Sequence, residues 1–134
     1  MPIKEHDMYL QIADYLRYNY PNAIYRFDLA ADLKLSIGQA TKHKRLQGRR
    51  GYPDLFIAEP KTVEREGDKY YYDGLFIELK REGTRLTKKN GEPANEHIKE
   101  QLDLLAELSL RGYAACFAVG FDEAKKIIDE YLHD

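Results

Sequence analysis

The chain has 134 residues, 43% of them hydrophobic and 33% charged, and its 21 basic and 23 acidic side chains give a net charge of −2. This length and balance predict one globular domain spanning residues 1–134 and exclude collagen-like, disulfide-dense and disordered proteins. The net charge by itself gives no reason to expect a nucleic-acid partner.

Cysteine usage and hydropathy bear on the cellular compartment. The single cysteine, Cys116, cannot form an intramolecular disulfide or a multi-cysteine metal site, and it fits a reducing cytoplasm. The hydrophobic run over residues 113–119 is far too short to span a membrane. The first nine residues turn acidic and lack an apolar stretch, so we expect no signal peptide and a cytoplasmic protein.

The first half of the chain shows a helical pattern followed by shorter segments. Apolar residues at Met8, Ile12 and Leu16 follow helical spacing, and Pro21 ends that pattern. Ser36 is a suitable cap for a second, short helix. In chain order the predicted elements are a helix over residues 5–20, a strand over residues 24–29, a short helix over residues 36–46 and a strand over residues 54–59.

The second half begins with another strand and ends with a strand between two helices. A polar connection containing Gly67 and Asp68 precedes the first of these strands, which predicts an antiparallel hairpin with the strand before it. The almost wholly apolar strand near the end implies burial on both faces. In chain order the predicted elements are a strand over residues 75–80, a loop over residues 81–93, a helix over residues 95–111, a strand over residues 114–119 and a final helix with an apolar stripe from Ala124 to Leu132.

This order of elements, roughly αβ(α)ββαβα, predicts an α/β fold. A central mixed β-sheet flanked by helices is the arrangement that buries the apolar faces of all these elements. In such folds a ligand site is expected at one edge of the sheet, where the polar ends of strands converge.

Acidic side chains occur in both strands of the predicted hairpin. Strand alternation places Glu78 and Lys80 on one face, within the otherwise hydrophobic segment GLFIELK. Asp54 begins the partner strand, and in an antiparallel pair the start of one strand lies beside the end of the other. Two carboxylates that meet in a partly buried place repel each other, and a divalent cation would offset more of that repulsion than one lysine.

Two helices also direct polar groups toward their apolar faces. Gln101 falls within the sector that Ile98, Leu102 and Leu105 define, and a buried amide needs hydrogen-bond partners. Glu5 falls on the apolar face of the first helix.

Each of these polar residues, taken alone, has an ordinary structural explanation. Asp54 can be a strand-end residue, and Glu78 with Lys80 can be a solvated charge pair. Gln101 can bond a loop carbonyl, and the helix dipole favours a carboxylate such as Glu5 in a first helical turn.

The ordered set is more specific than its members. Gly51-Tyr52-Pro53-Asp54, Glu78-Leu79-Lys80 and Gln101 form the pattern G-x-P-D, E-x-K, Q. This pattern resembles the PD-(D/E)XK nuclease superfamily, and specifically its virus-type replication-repair nuclease (VRR-NUC) family, over residues 49–132. The resemblance implies a restriction-endonuclease-like fold and metal-dependent hydrolysis of DNA.

The resemblance also implies a role for each matching position. Asp54 and Glu78 correspond to the two metal-binding acids, Lys80 to the catalytic lysine and Gln101 to the helix glutamine. Glu5 is the candidate for an acid that the family tends to carry in its first helix.

This chain departs from the family pattern at one position, and the resemblance also implies a substrate and an oligomeric state. One helical turn after that acid the family often has a glutamine, whereas this chain has Tyr9. Small stand-alone viral members act as homodimers on branched DNA such as four-way (Holliday) junctions, which for this chain implies a homodimer in the cytoplasm of an infected bacterial host.

The chemistry of phosphodiester hydrolysis fits these residue types. A Mg²⁺ ion, for which Mn²⁺ is expected to substitute, compensates charge at the phosphate and helps to activate water. Asp54 and Glu78 would hold the ion, with the main-chain carbonyl of Leu79 as a further ligand. Lys80 would position or deprotonate the attacking water or stabilise developing charge, and Gln101 would orient the lysine or the water.

Positive charge is concentrated on either side of this candidate site. Residues 42–50 hold five basic residues and no acid, and residues 80–89 carry a net charge of +4. Both segments are predicted to contact DNA phosphates without reading bases. The candidate DNA-binding residues are Lys42, Lys44, Arg45, Arg49, Arg50, Arg81, Arg85, Lys88 and Lys89.

Three other interpretations stay open at this point. The chain could be a nuclease for linear or flap DNA without junction preference, which shares the chemistry and differs in substrate. It could be a catalytically silent DNA-binding module that uses the same basic segments. It could also be a globular interaction domain whose inward polar groups are structural.

Overall fold

Helices and strands alternate along the chain. The computed structural model describes the backbone of residues 5–28 and 34–133, with side chains from residue 7 onward. The elements in this part of the chain are α1 (Glu5–Asn19), β1 (Tyr25–Phe27), α2 (Ile37–Leu46), β2 (Leu55–Ile57), β3 (Lys61–Arg65), β4 (Asp68–Tyr72), β5 (Leu75–Lys80), α3 (Glu96–Leu110), β6 (Ala114–Val119) and α4 (Phe121–Leu132).

A four-stranded mixed sheet in the order β1-β2-β5-β6 forms the centre of the fold. β2 pairs antiparallel with both β1 and β5, and β5 pairs parallel with β6. The predicted α/β fold and the antiparallel relation of the strands that carry Asp54 and Glu78 are therefore confirmed.

Helices cover the two faces of this sheet. The inward side chains of alternate β5 residues, such as Ile77, join Leu16 of α1 and Ile128 of α4 in the main hydrophobic core. The intervening residue Glu78 points to the opposite face, where Gln101 of α3 reaches it. None of the described helices has the length and apolar character needed to cross a membrane.

The connection between β2 and β5 contains a second hairpin that the sequence analysis missed. β3 and β4 pair antiparallel, and their turn is at Glu66 and Gly67, both with positive φ. The two strands are mostly exposed, so their sequence lacks the apolar alternation of a half-buried strand. Tight turn geometry, more than burial, specifies this hairpin.

Four details of the predicted elements are wrong. The strand expected over residues 24–29 covers only residues 25–27, and residue 29 lies outside the described residues. The strand expected over residues 54–59 covers only residues 55–57. β6 has the expected bounds, but Ala118 is its only buried residue because the strand lies at the edge of the sheet. On α3, Leu102 is 45% exposed and Leu104 is buried in its place, so the apolar stripe is rotated about the helix axis.

A carboxylate on α4 joins that helix to α1. The hydroxyls of Tyr15 and Tyr20 each donate to Asp129 Oδ1 over 2.6 Å, and Lys125 Nζ donates to Asp129 Oδ2 over 3.2 Å. Burial opposes the charged form, but these three hydrogen bonds outweigh it and hold the pKa of Asp129 below its usual value. Their contribution to stability is therefore present at neutral pH and is lost as the pH falls through that lowered pKa.

Replacing Asp129 with alanine is expected to lower the free energy of unfolding by about 1–3 kcal/mol, because two part-buried hydroxyls lose their acceptor. Urea unfolding at neutral pH measures the change. Asp103→Ala is the matched control, since Asp103 also accepts from a lysine four residues away but its side chain is 59% exposed. The control should change stability by less than about 0.5 kcal/mol. Equal losses in the two variants would contradict the role given to the tyrosines.

Candidate active site

Two carboxylates meet at the edge of the sheet where β2 begins and β5 ends. Leu55 pairs with Ile77, so Asp54 and Glu78 come next to each other on adjacent strands. Each residue is only 3% exposed. The backbone N–H of Leu79 donates to Asp54 Oδ2 over 2.8 Å. The convergence that the sequence predicted is therefore present.

Burial sets the electrostatics of this pair. Desolvation raises the pKa of Asp54 above its usual value, although hydrogen bonds with Glu78, Tyr9 and the Leu79 N–H and the charge of Lys80 partly oppose the shift. A hydrogen bond between two carboxyl groups requires a proton on one of them. The site therefore favours positive charge, either a proton or a cation, between Asp54 and Glu78.

Lys80 and Gln101 complete the arrangement around Glu78. Gln101 Nε2 donates to Glu78 Oε1 over 2.7 Å, and Lys80 Nζ lies 3.9 Å from the same oxygen. The side chain of Lys80 is 14% exposed, so its charge lies at the margin of the buried region. Four residues from three separate elements, Asp54, Glu78, Lys80 and Gln101, are thus brought together as predicted.

The local sequence explains how these elements meet. Gly51 has a φ of +81°, and a Cβ at this position would lie 3.5 Å from the backbone of Gln101. Glycine therefore permits both the turn before β2 and its close approach to α3. Pro53 is fully buried, and Asn95 caps α3 by accepting from the Ile98 N–H over 2.8 Å. The close approach of Gly51 to Gln101 thus brings the start of β2 and α3 together beside the two carboxylates.

The four residues line part of an open cavity of about 470 Å³. Asp28, Tyr52 and His97 line the same cavity and were not singled out from the sequence. Asp28 follows β1, and its backbone N–H donates to the Asp54 carbonyl over 2.7 Å. An acid at the end of a predicted strand was the sequence signal that could have identified Asp28. His97 lies one helical turn before Gln101, which was also readable from helical spacing.

Tyr9 is a further residue that the sequence analysis left without a role. It is 4% exposed, and its side chain is hydrogen-bonded to the carboxylate of Asp54. Its ring also packs against Phe27, with ring centroids 5.5 Å apart. In this chain a tyrosine of α1 therefore contacts the candidate metal-binding acid.

Comparison with solved structures gives a match to a protein described as a "VRR_NUC domain protein". The TM-score is 0.59 and the sequence identity is 26%, over 97% of this chain and 88% of that chain. This likeness supports the resemblance to the VRR-NUC family that the sequence motifs indicated. No family model matches the sequence, and a search of curated proteins found no match. The structural likeness indicates a nuclease in general terms.

The donor set of this site fits a hard divalent cation. Carboxylate oxygens are ligands that Mg²⁺ prefers, and it is commonly held by one or two of them together with waters and phosphate oxygens. Gln101 Oε1 is buried and has no hydrogen-bond partner among the described residues, so it can accept from a water at the site. Among the described side chains, those of residues 7–28 and 34–133, no group of three His, Cys, Asp or Glu residues has metal-binding geometry. Asp54 and Glu78 are the buried carboxylates in this part of the chain, and they are the side chains that would hold such an ion.

All of the predicted metal ligands stay predictions, and two of them have less support from the geometry than Asp54 and Glu78. Glu5 begins α1, but its side chain lies outside the described part of the structure. The backbone N–H of Leu79 donates to Asp54, so Leu79 lies at the site. The backbone group predicted to bind the metal is the carbonyl of the same residue.

The basic residues that flank the candidate active site in the sequence are all exposed. α2 carries three of them and has no buried residue, so it presents its basic side chains to solvent next to the cavity. Arg49 differs from the others because it is paired with Glu107 of α3, which also binds Arg111. Part of its charge is therefore already compensated within the protein.

Thiol chemistry does not fit this site. Burial raises the pKa of Cys116 to about 11, so its thiolate is scarce at neutral pH. Cys116 also lies on β6 and faces the main hydrophobic core, away from the face that carries Glu78.

Proposed function

We propose that this chain is a metal-dependent DNA endonuclease that hydrolyses phosphodiester bonds. The observation that carries the proposal is the meeting of two buried carboxylates, Asp54 and Glu78, from separate strands beside Lys80. A structural role alone would not favour this arrangement, because two buried acids side by side oppose folding unless positive charge lies between them. The structural likeness to a VRR_NUC domain protein is a second support.

Each residue has a defined task in this proposal. Asp54 and Glu78 hold Mg²⁺ or Mn²⁺, with the Leu79 carbonyl and Glu5 as further candidate ligands. The ion supplies charge compensation at the scissile phosphate and lowers the pKa of water. Lys80 positions or deprotonates the attacking water or stabilises the developing negative charge. Gln101, which is hydrogen-bonded to Glu78, orients the lysine or the water.

The exposed basic residues on both sides of the site bind the DNA backbone. Their charges would contact phosphates and give affinity that falls with salt concentration. Residues of the first segment are Lys42, Lys44, Arg45, Arg49 and Arg50, and residues of the second are Arg81, Arg85, Lys88 and Lys89. No base-reading motif is apparent in the sequence, so we propose that DNA shape determines the substrate.

We further propose branched DNA, such as a four-way junction, as the preferred substrate and a homodimer as the active form. One chain offers one such site, whereas symmetrical resolution of a junction requires two cuts. The support for both statements is the resemblance to small stand-alone viral VRR-NUC proteins.

Cleavage of matched linear, flap, nicked and four-way-junction DNA tests this function. We expect cleavage in Mg²⁺ or Mn²⁺, fastest on the junction, and none in excess EDTA. Equal rates on all four substrates would refute the preference for branched DNA, and cleavage that persists in EDTA would refute the metal dependence. Salt-sensitive binding without cleavage in either metal would identify a silent DNA-binding module instead.

A further inference from the structure

A second groove opens beside the candidate active site, on the same face of the sheet. Across the three strands, Arg26 pairs with Phe56 and Phe56 pairs with Phe76, so these three side chains share a face. Asp54 lies two residues before Phe56 and Glu78 two residues after Phe76. The face that carries the two carboxylates therefore continues into a row made of one basic and two aromatic side chains.

This groove has an aromatic floor and a basic rim. Its volume is about 440 Å³, within the range of roughly 300–1,000 Å³ that is typical of small-ligand sites. Tyr52 and Phe56 provide aromatic surface, Arg26 provides donors and positive charge, and His43 provides an imidazole ring. His43 comes from the exposed helix α2, so the groove is bounded by the sheet on one side and a basic helix on the other.

The groove is continuous with the candidate catalytic cavity. Asp28 and Tyr52 line both the groove and the cavity, so the two share a boundary. A carboxylate at this boundary disfavours a phosphate there and suits the amino groups of a nucleobase.

Tyr52 is held in a position suited to stacking. Its ring lies perpendicular to that of Phe76, with centroids 5.7 Å apart, and Phe76 is itself stacked on Phe56 at 4.4 Å. One edge of the Tyr52 ring is thus fixed by the aromatic floor, while the residue is 51% exposed. An exposed, fixed aromatic ring beside cationic side chains is the arrangement that single-stranded nucleic-acid sites use to stack bases.

We propose that this groove binds one unpaired nucleotide next to the scissile phosphate, with its base stacked on Tyr52 and its backbone held by Arg26 and His43. The proposal rests on the proposed nuclease function and sharpens it. A nucleotide can enter the groove only when it is unstacked, so the site favours DNA that is single-stranded or open at the cut, as at a flap or a junction centre, over closed duplex.

Binding of a fluorescein-labelled single-stranded DNA oligonucleotide, followed by anisotropy, tests the groove without cleavage. Glu78→Gln in EDTA serves as the parent protein, so that catalysis cannot interfere. Adding Tyr52→Ala should weaken binding about fivefold or more, whereas Tyr52→Phe, which keeps the ring and its contact with Phe76, should bind within about twofold of the parent. Tyr71→Ala is the matched control, because Tyr71 is a comparably exposed tyrosine (61%) on the β3–β4 hairpin.

Abasic DNA separates stacking from backbone contacts. An oligonucleotide of abasic nucleotides should bind the parent more weakly, and Tyr52→Ala should cause no further loss with it. The proposal is overturned if Tyr52→Ala binds normal single-stranded DNA as tightly as the parent, if the abasic strand shows the same Tyr52 dependence, or if the parent does not bind single-stranded DNA.

Failure of the nucleotide-binding proposal can be distinguished from failure of the proposed endonuclease function. If wild-type protein cleaves no DNA but binding depends on Tyr52 as described, the endonuclease proposal fails and the nucleotide site stands. If junction DNA is cleaved and Tyr52→Ala changes neither binding nor kcat/KM, the nuclease stands and the nucleotide site fails.

Discussion

Glu78→Gln is expected to reduce DNA cleavage in Mg²⁺ by about a thousandfold or more, because it removes one of the two charges that would hold the ion. Glutamine keeps the shape of the side chain and an oxygen that can accept from Gln101 Nε2. The fold should therefore be retained, and circular dichroism and urea unfolding would verify this. Single-turnover cleavage of junction DNA measures the effect.

The control for this substitution is Glu82→Gln. Glu82 follows Lys80 by two residues but is exposed and does not line the cavity around Glu78. Its rate should stay within about twofold of wild type, since a solvated charge contributes little. Cleavage by Glu78→Gln at the wild-type rate would show that the catalytic site lies elsewhere.

Asp54→Asn is expected to abolish cleavage to a similar extent and, in metal-free buffer near pH 8, to raise the free energy of unfolding by roughly 1 kcal/mol. The direction follows from the raised pKa of Asp54, whose first cause is burial. Because the folded state binds this proton more tightly than the unfolded state, stability is lost as the pH rises from the unfolded pKa through the raised folded pKa. Asparagine has no charge to bury and can still accept from the Leu79 N–H.

Urea unfolding in EDTA over a range of pH measures this second effect. The stability difference between Asp54→Asn and wild type should grow as the pH rises above the unfolded pKa of aspartate. Asp14→Asn, at a side chain that is 76% exposed, should show no such trend. Addition of Mg²⁺ should stabilise the wild type and not Asp54→Asn, because ligand binding to the folded state shifts the equilibrium. A variant less stable than wild type at pH 8 would contradict the idea that Asp54 opposes folding.

These two variants distinguish a catalytic site from a structural ion pair. A structural pair loses stability when one partner is removed, because the other charge is left buried alone. At this site the acids outnumber Lys80, and Lys80 is 3.9 Å from the nearest Glu78 oxygen. Removing one acid therefore relieves repulsion and should cost function while stability increases.

The sequence was most informative where local patterns agree with tertiary burial. The segment over residues 75–80 was predicted with its observed bounds, because an apolar run interrupted by Glu78 has strand periodicity and a clear start and end. α2 was predicted from Ser36, whose side chain accepts from the Gln39 N–H in a capping box. Helix caps are local interactions, so they can be read without knowledge of the rest of the fold.

Sequence reasoning was weakest where neighbours along the chain do not decide the environment. The composition of β6 indicates burial on both faces, yet its position at the sheet edge depends on which strands pair. Leu102 and Leu104 exchange roles on α3 because the angle at which the helix meets the sheet, and not the helical repeat, determines which side chains are covered. The β3–β4 hairpin was missed because exposed strands need no apolar alternation.

The sequence by itself determined the chemistry of this protein: an acid after a proline, an acid and a lysine on one strand face, and a glutamine on a helix. The sequence also shows that, despite a net charge of −2, two basic segments flank these candidate site residues. Only the tertiary structure decided that Asp28, Tyr52 and His97 line the same cavity and that Tyr9 reaches Asp54. The physical reason is that alternation and helical spacing fix the face on which a side chain lies, whereas the neighbours across that face come from strand order and helix packing between distant parts of the chain.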